Sequence, residues 1–413
     1  MSGDWTGQRL ELEVDAVAHG GHCVGRYEGR VVFVRHALPG ELVIAEVTED
    51  RGGSFCRAEA VEVLRAAPGR VQPPCPLAVP AGCGGCDWQH ADAPTQRRLK
   101  ADVVREQLSR LAGIDRAVEV EELPGGTLGW RSRLRLVAGS DGGLGFRAYR
   151  SHRVVPVEEH GCRIAVPGSV DEVLGRSWRP GTEVAVTRDS TGETHISASE
   201  GPGGRARPQQ LRGGTAHERA AGREWRVDAH GFWQVHPHAA GTLAAVVGEW
   251  AGASAGAHTW DLYAGVGLFA AVLAEQVGHS GSVLAVESAR GAVESGRRNL
   301  ADLPQVRWKR GAVHRVVAAR PARAPEVVVL DPPRKGAGTR VVRSIAGAGA
   351  RRVVYVSCDP AALARDLATF AGAGYRLREL RAFDAFPMTH HVECVALLTT
   401  EQAAMDRDGS TSH

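Results

Sequence analysis

The chain of 413 residues is longer than one ordinary domain, so two or three domains are expected. Its 43% hydrophobic and 23% charged residues exclude a disordered chain, and its formal net charge of +3 is too small to indicate nucleic acid by itself. No apolar run approaches the roughly 18 residues of a membrane helix, and no secretory signal is visible, so a cytoplasmic protein without membrane contact is expected. The eight cysteines then indicate metal binding or catalysis rather than disulfides.

The first region, residues 8–65, alternates short apolar strands with turns. Strands are predicted around residues 10–14, 31–34 and 41–47, with Gly20-Gly21 and Pro39-Gly40 at turns between them. Short strands at this spacing indicate a small β-barrel.

The rest of the chain divides into a helix, a second strand-rich region and an α/β region. Residues 94–112 carry apolar side chains at near-helical spacing, which predicts an amphipathic helix. From 130 to 226 the pattern returns to strands, broken by a glycine- and proline-rich run at 201–208. From residue 231 onward strands alternate with helical stretches, which predicts a mostly parallel sheet with strands at 259–263, 282–287, 327–331, 353–357 and 392–398. The polar tail, 401–413, is predicted to be disordered.

A glycine-rich turn after the first strand of the α/β region indicates a nucleotide site. Gly265 and Gly267 allow a tight turn and let a ligand approach the backbone. Glu287 ends the next strand, about twenty residues farther on, where an acid can bind both ribose hydroxyls of an adenosine. The motif also satisfies the dinucleotide pattern G-x-G-x-x-G/A, so by itself it leaves a methyl donor and NAD equally open.

An acidic loop lies at the end of the apolar strand predicted at 327–331, at the sheet edge where ligands bind. In Asp331-Pro332-Pro333-Arg334 two prolines after an acid hold a rigid, extended loop. Dehydrogenases do not need such a loop, whereas it resembles the Asp-Pro-Pro loop of methyltransferases that act on nucleic acid or protein nitrogens. The alternative is a simple proline turn at a strand end.

A cysteine and a glutamate are candidates for nucleophile and base. Cys358 follows the strand predicted at 353–357 at the same edge, and the dipoles of a following helix would lower the pKa of its thiol. Glu393 begins an apolar strand, where burial would raise its pKa toward that of a useful general base. The alternatives are a buried structural cysteine and a solvated acid on an edge strand.

These segments together resemble the RumA/TrmA family of S-adenosylmethionine-dependent RNA 5-methyluridine methyltransferases. The resemblance covers nearly the whole chain in the right order. Residues 8–65 resemble a TRAM domain, a small RNA-binding barrel found in part of the family. The other matching segments are Phe232-Trp233-Gln234-Val235-His236, Asp331-Pro332-Pro333-Arg334, Ser357-Cys358-Asp359-Pro360 and the run from Phe383 to Glu393.

The resemblance implies a monomeric α/β enzyme with several domains. They are a TRAM barrel (1–66), a central iron–sulfur domain (67–93 and 126–230), a helix packing on the catalytic domain (94–125) and a class I, Rossmann-like methyltransferase domain (231–400). The residues implied to contact S-adenosylmethionine are Gln234, Tyr263, Gly265, Gly267, Glu287 and Asp331. Cysteine spacing alone suits zinc and iron–sulfur equally. The resemblance favours a [4Fe–4S] cluster, with the ligands Cys75, Cys83, Cys86 and Cys162.

The implied chemistry explains why these residue types are needed. Carbon 5 of uracil is a poor nucleophile, and addition of the Cys358 thiolate to carbon 6 would give an enolate whose carbon 5 attacks the methyl donor. Glu393 would then remove the carbon 5 proton. The target uridine has to leave its stack. It is expected in 23S ribosomal RNA, because a barrel with cluster cysteines resembles the ribosomal-RNA branch more than the tRNA branch. Phosphate contacts or a solvated face are expected of Arg131, Arg133, Arg135, Arg147, Arg150 and Arg153.

Three residues depart from the family pattern. His236 stands where Asn is usual, Leu268 where a polar residue often helps to hold the cofactor, and Ala312 where an acid or amide meets the adenine. These departures predict weaker cofactor binding and leave alternatives open. One is a tRNA uridine methyltransferase, a second is an N-methyltransferase in which Cys358 is structural, and a third is a non-catalytic RNA-binding protein with a metal cluster.

Overall fold

The computed structural model describes residues 4–200, 208–319 and 322–401. The predicted tail from 402 onward and most of the run at 201–208 lie outside the described residues. Within these ranges no helix is both long and apolar enough to cross a membrane.

Five strands close into an N-terminal barrel. They are β1 (Arg9–Val17), β2 (Cys23–Tyr27), β3 (Arg30–Arg35), β4 (Leu42–Asp50) and β5 (Phe55–Arg65). The barrel order is β1-β2-β3-β5-β4, and the predicted alternation is present because buried positions fill the barrel while the others face outward.

A long helix connects the barrel with the α/β region. This helix, α1 (Ala93–Ala112), has the extent that the apolar spacing predicted. Its buried face is shared between two cores, since Leu99 packs in the barrel while Val104 and Leu108 pack in the α/β region. A short strand, β6 (Val120–Glu122), follows it.

The central region is a six-stranded antiparallel sheet followed by a hairpin. The sheet contains β7 (Arg133–Ala138), β8 (Leu144–Arg147), β9 (Val154–Pro156), β10 (Glu183–Arg188), β11 (Thr194–Ser199) and β12 (Gln209–Arg212), with a short helix α2 (Asp171–Leu174). Its strand order is β12-β11-β10-β7-β8-β9. The hairpin is β13 (Thr215–Ala220) and β14 (Arg223–Asp228). Although the hairpin lies within the range assigned to the central domain, its Trp225 and Val227 pack in a core of the α/β region.

The α/β region is built on an eight-stranded sheet. Its elements are α3 (Ala239–Ala251), β15 (His258–Leu262), α4 (Leu268–Val277), β16 (Ser282–Glu287), α5 (Arg290–Asn299), β17 (Val306–Arg310), α6 (Val313–Val316), β18 (Val327–Leu330), α7 (Thr339–Gly347), β19 (Arg352–Ser357), α8 (Pro360–Gly372), β20 (Tyr375–Asp384) and β21 (Glu393–Thr400). The strand order is β17-β16-β15-β18-β19-β21-β20-β6. Strands β15 to β19 are parallel, and β21 is antiparallel to both of its neighbours.

Helices cover both faces of this sheet and leave one edge open for ligands. One core packs α3 and α4 on the sheet, and the other packs α1, α7 and α8. The strand order reverses between β15 and β18, which opens a crevice at the carboxyl ends of the strands. The five predicted strands are confirmed to within two residues at each end. The sequence did not reveal β17 and β20, because both are rich in charged residues and lack an apolar run.

Candidate active site

A cleft of about 1140 Å³ opens at the carboxyl ends of the parallel strands. The turn after β15, the end of β16, the loop after β18 and the end of β19 line one wall. Residues from the central region form the opposite wall, among them Gly84, Arg131 and Tyr149. The volume exceeds the roughly 300–1,000 Å³ of a typical small-molecule site, so the cleft has room for a cofactor and a second reactant.

The cofactor half of the cleft is organised by the glycine turn and Glu287. The backbone N–H of Gly265 donates to Glu287 Oε2 at 3.1 Å, and the N–H groups of Ser288 and Ala289 donate to Oε1 at 2.6 and 2.7 Å. These bonds hold the carboxylate beside the turn, at the place expected for ribose recognition. A Cβ at Gly265 would meet nothing within 4 Å, so a ligand has room there.

Gly267 has a different role from Gly265 in the same turn. It does not line the cleft, and its φ of +95° is in the left-handed region. A Cβ there would lie 2.8 Å from Leu300 and 3.1 Å from Trp308. Glycine is therefore required at this position both by the turn and by close packing.

Three ionisable groups meet at the reactive half of the cleft. Glu393, Asp331 and Cys358 all line it, and Glu393 is buried. Burial, followed by repulsion from Asp331, raises the pKa of Glu393 well above its usual value, as the sequence predicted. Burial also raises the pKa of Asp331 to about 7. Burial thus raises the pKa of both carboxyl groups, and each disfavours the charged form of the other.

The thiol of Cys358 differs from the sequence-based expectation. A helix, α8, does begin directly after it, but burial, followed by repulsion from Glu393 and Asp331, raises the pKa of Cys358 to about 12. The expected depression by the helix dipole is therefore wrong, because desolvation and two acids outweigh it. The Cys358 side chain is partly buried in this setting.

A buried acid on α8 holds the loop that carries Asp331. Asp366 Oδ2 accepts hydrogen bonds from the hydroxyl of Tyr355 and from the N–H of Ala337, both at 2.7 Å. The N–H of Gly338 also donates to Asp366, at 3.2 Å. These bonds tie the far end of the proline loop to α8, the helix that begins just after Cys358.

The turn between β20 and β21, which leads into Glu393, is held by α1. The buried ammonium of Lys100 pairs with Asp384 and donates to the carbonyl of Phe386 at 3.0 Å. Gln96 accepts from the N–H of Met388 at 2.8 Å. The catalytic turn is therefore fixed by residues almost three hundred positions earlier in the chain.

The loop after the clustered cysteines holds the other side of the same turn. Asp87 accepts from the backbone N–H of His390 at 3.1 Å and contacts its ring Nδ1 at 2.7 Å. The N–H groups of Asp87 and Trp88 donate to the Met388 carbonyl, each at 3.0 Å. In addition, His19 of the barrel contacts Asp359, the residue after Cys358, at 3.1 Å. All parts of the chain thus meet at the reactive end of the cleft.

Comparisons with known proteins agree with this geometry. A family model described as tRNA (Uracil-5-)-methyltransferase matches residues 322–401, and one described as TRAM domain matches residues 5–61. An uncharacterized RNA methyltransferase of Streptomyces avermitilis is 46% identical, over 95% of this chain and 98% of that protein. A Bifidobacterium longum protein described in the same way is 41% identical, over 95% and 97%.

The chain belongs to the RumA/TrmA family. Its predicted activity class is confirmed: the protein is an S-adenosylmethionine-dependent RNA (uracil-5-)-methyltransferase with an N-terminal TRAM barrel. The solved structure of Pyrococcus abyssi tRNA (uracil-54, C5)-methyltransferase with S-adenosyl-L-homocysteine has a TM-score of 0.71 at 23% identity. It covers 94% of this chain and 100% of that one, which confirms the class I methyltransferase fold.

The cofactor residues implied for this RumA/TrmA enzyme converge, with one exception. Gln234, Tyr263, Gly265, Glu287 and Asp331 line the cleft, whereas Gly267 packs beneath it. Among the departures from the family pattern, Leu268 is buried in the core and Ala312 lines the cleft. His236 is buried and stacks on Trp130 with ring centroids 5.9 Å apart, and burial lowers its pKa to about 4, so it is a neutral ring.

Four cysteines of the enzyme line one small cavity of about 40 Å³: Cys75, Cys83, Cys86 and Cys162. The N–H of Gly85 donates to the sulfur of Cys83 at 3.4 Å. Among the described residues no group of three or more His, Cys, Asp or Glu side chains is placed to hold a metal ion. The structure therefore brings the four predicted ligands to one cavity, and the [4Fe–4S] cluster itself stays a prediction.

The arginines considered for phosphate binding do not act as one set. Arg133 donates hydrogen bonds to Glu218 at 2.8 Å and to two backbone carbonyls, so its role is structural. Arg131 lines the cleft, and two exposed arginines lie beside it, Arg147 at the end of β8 and Arg150 on the loop that follows.

Sequence reasoning missed several residues that shape the site. Asp261, at the end of β15, is buried near the glycine turn, and burial raises its pKa to about 8. Asp261 stands two residues before Tyr263 in the cofactor motif, and this position was the signal in the sequence that could have marked it as part of the site. No such signal marked Asp87, Lys100 or Asp366. Asp87 and Lys100 act through contacts with residues that are remote in sequence, and Asp366 acts through hydrogen bonds to the loop that it supports.

Proposed function

We propose that the enzyme methylates carbon 5 of one uridine in 23S ribosomal RNA through a covalent Cys358 adduct, with Glu393 as the general base. The observation that carries the proposal is the meeting of Cys358, Glu393 and Asp331 in one cleft beside the glycine turn. A protein that bound the target RNA without methylating it would need no thiol at this point.

The cofactor would lie along the glycine turn with its reactive end toward Asp331. Glu287 would accept the ribose hydroxyls, and Gly265 would leave room for the ligand beside the backbone. Tyr263 and Gln234 would contact the remaining parts of the molecule, since both line the same cleft. Asp331 would stand between the methionine part and the target base.

The first chemical step makes carbon 5 nucleophilic. Cys358 loses its proton to solvent water, and its sulfur forms a bond to carbon 6 of the uracil while the electron pair of the 5,6 double bond moves to give an enolate. Carbon 5 then forms a bond to the methyl carbon as the carbon–sulfur bond of S-adenosylmethionine breaks, which releases S-adenosylhomocysteine.

The second step regenerates the base and the enzyme. Glu393, as a carboxylate, removes the proton from carbon 5, the electron pair restores the 5,6 double bond, and the Cys358 thiolate leaves. A general base with a raised pKa suits this step, because it is strong enough to take a carbon-bound proton.

Electrostatics suggest why the thiol is not ionised before the reactants bind. The sulfonium of S-adenosylmethionine carries a positive charge, and it would lie beside two acids and a thiol that destabilise one another's charged forms. Cofactor binding would thus lower all three pKa values and activate the nucleophile where the methyl donor is already present.

Cys75, Cys83, Cys86 and Cys162 would hold a [4Fe–4S] cluster through their thiolates, and the cluster irons would cross-link the loop that carries these cysteines. The residues next to these cysteines brace the catalytic turn, because Asp87 and Trp88 contact Met388 and His390. The proposed role of Asp87 and Trp88 is to keep that turn, and with it Glu393, in position.

Ribosomal RNA is proposed over tRNA because the barrel occurs together with four converging cysteines. The Pyrococcus abyssi protein is named for tRNA, but a likeness at 23% identity shows a shared fold alone. We further propose that the enzyme acts as a monomer, which its mass in solution would test.

A tritium-release assay tests the proposed chemistry. Unmodified 23S rRNA and tRNA transcripts carrying tritium at carbon 5 of uridine are incubated with enzyme and S-adenosylmethionine. The proposal predicts release from 23S rRNA, none from tRNA, and loss of release in Cys358→Ala. Release that survives in Cys358→Ala would mean that the cysteine is structural, and release from tRNA alone would assign the other substrate.

A further inference from the structure

Arg334 is a cation in the catalytic cleft that takes no part in the steps proposed so far. It follows the two prolines of the loop after β18 and lines the cleft together with Cys358 and Glu393. Its side chain is exposed, and no carboxylate in the ranges that the structure describes forms an ion pair with it. The positive charge of Arg334 is therefore available to a reactant in the cleft.

A neutral histidine holds the guanidinium of Arg334. Its Nη2 donates to Nε2 of His391 at 3.2 Å. Burial, followed by the charges of His390 and Arg334, lowers the pKa of His391 to about 3, so the ring is neutral and can accept this bond. His391 also packs edge-on against Phe386, with ring centroids 5.8 Å apart. A neutral acceptor orients the guanidinium but does not cancel its charge, as a carboxylate would.

Arg334 differs from the other cations of the cleft in what it faces. Among the described residues, the Lys and Arg side chains that line the cleft are Arg131, Arg334 and Lys335. Arg131 lies on the opposite wall and also lines the cavity of the four cysteines. Lys335 follows Arg334 on the same loop and is exposed as well, which makes it a matched control. The charge that acts on the Cys358 thiol is that of Arg334.

Acids face the Cys358 thiol from three segments of the chain. Burial, followed by Glu393 and Asp331, raises the pKa of Cys358. Asp359 acts in the same direction, whereas the charge of Arg334 acts to lower that pKa. The reaction nevertheless places negative charge here twice, first on the sulfur and then on the oxygen at carbon 4 of the uracil, which becomes negative as the enolate forms. A guanidinium without a carboxylate partner can stabilise both charges.

We propose that Arg334 is a further catalytic residue, which stabilises the Cys358 thiolate and then donates to the oxygen at carbon 4 of the uracil enolate. Arg334 keeps its protons throughout, because a guanidinium does not ionise in proteins. The proton of the thiol still goes to water, and no additional bond is made or broken. His391 is the positioning residue that orients the guanidinium. This inference rests on the proposed function and adds the group that balances its negative charges.

Alkylation of Cys358 tests the effect of this charge on the free enzyme. The rate of reaction with iodoacetamide is measured at neutral and mildly alkaline pH by peptide mass spectrometry. Arg334→Met should react on the order of 3- to 10-fold more slowly than the wild type, because a smaller fraction of the thiol is ionised. Arg334→Lys keeps the charge and should recover most of the rate. Lys335→Met removes a charge from the same loop and should react like the wild type.

Single-turnover tritium release at saturating RNA tests the effect on the enolate. Arg334→Met should lower the rate constant on the order of 100-fold, the lower end of the cost of one lost oxyanion donor, because Arg334 is exposed to solvent. Arg334→Lys should recover less here than in alkylation, since an ammonium lacks the planar fork of donors. His391→Ala should lower the rate constant by a smaller factor, and His391→Gln, which can still accept a hydrogen bond, should restore part of it.

The outcomes separate this inference from the proposed function. Wild-type alkylation in Arg334→Met, or equal slowing in Lys335→Met, overturns it. A change confined to the KM for RNA, with a weaker salt dependence, also overturns it, because Arg334 would then be a phosphate ligand. The alkylation measurement needs no RNA, so it stands even if tritium release survives in Cys358→Ala and the proposed function fails. Thermal melts, expected to be unchanged in Arg334→Met and Lys335→Met, show that these variants are folded.

Discussion

Removing one partner of the buried ion pair behind the catalytic turn should destabilise the enzyme strongly. Lys100 is fully buried and Asp384 is 2% exposed on its side chain, so neither has water to replace the other. Lys100→Met keeps most of the volume but leaves the Asp384 carboxylate and the Phe386 carbonyl without their donor. Breaking such a pair costs about 3–5 kcal/mol. For a catalytic domain of this size that corresponds to a fall in Tm of roughly 6–20 °C.

The assay compares this variant with a matched surface pair on the same helix. Arg97 pairs with Glu122 at 2.8 Å, but its partner's side chain is 56% exposed, so Arg97→Met should cost about 0–1 kcal/mol. The double variant Lys100→Met, Asp384→Asn should recover part of the loss, because no charge is left buried. Urea unfolding and thermal melts measure all three. A Lys100→Met variant as stable as Arg97→Met would refute the argument that this pair fixes the turn.

Three further predictions concern the reactive groups. Glu393→Gln should accumulate a methylated RNA–protein adduct that survives denaturing electrophoresis, because nothing removes the carbon 5 proton; its absence alongside normal turnover contradicts the assigned base. Since burial raises the pKa of Cys358 to about 12, its alkylation by iodoacetamide should rise about tenfold per pH unit through neutral and mildly alkaline pH. S-adenosylmethionine should shift this profile to lower pH, and peptide mass spectrometry at Cys358 would expose an unshifted profile. Asp366→Ala should cost about 1–3 kcal/mol for each buried donor left unpaired, and weaken cofactor binding, while Asp366→Asn retains part of both in calorimetry.

The sequence predicted those parts of the site that depend on local position in an α/β sheet. An apolar strand ends at or just before each of the residues Glu287, Asp331 and Cys358. Because the carboxyl ends of parallel strands lie at one edge of a sheet, these three side chains could be expected to lie close together. The barrel and α1 were predicted for similar reasons, because alternation and helical spacing are local signals.

Contacts between distant segments could not be predicted in this way. Lys100 and Asp384 are 284 positions apart, and nothing in either neighbourhood marks them as partners. Arg133 looked like a phosphate ligand, yet Glu218 holds it inside the protein. The pKa of Cys358 was predicted in the wrong direction, because the helix behind it was visible in the sequence whereas the burial and the two facing acids were not.

The covalent adduct at Cys358 is the central claim, and RNA containing 5-fluorouridine tests it most directly. Fluorine at carbon 5 cannot be removed as a proton, so the reaction should stop after methyl transfer with the enzyme still bound to carbon 6. The account predicts, after nuclease and protease digestion, a peptide whose mass includes one methylated fluorouridine nucleotide on Cys358. Turnover of unmodified RNA without any such peptide, or the nucleotide on another residue, would contradict it.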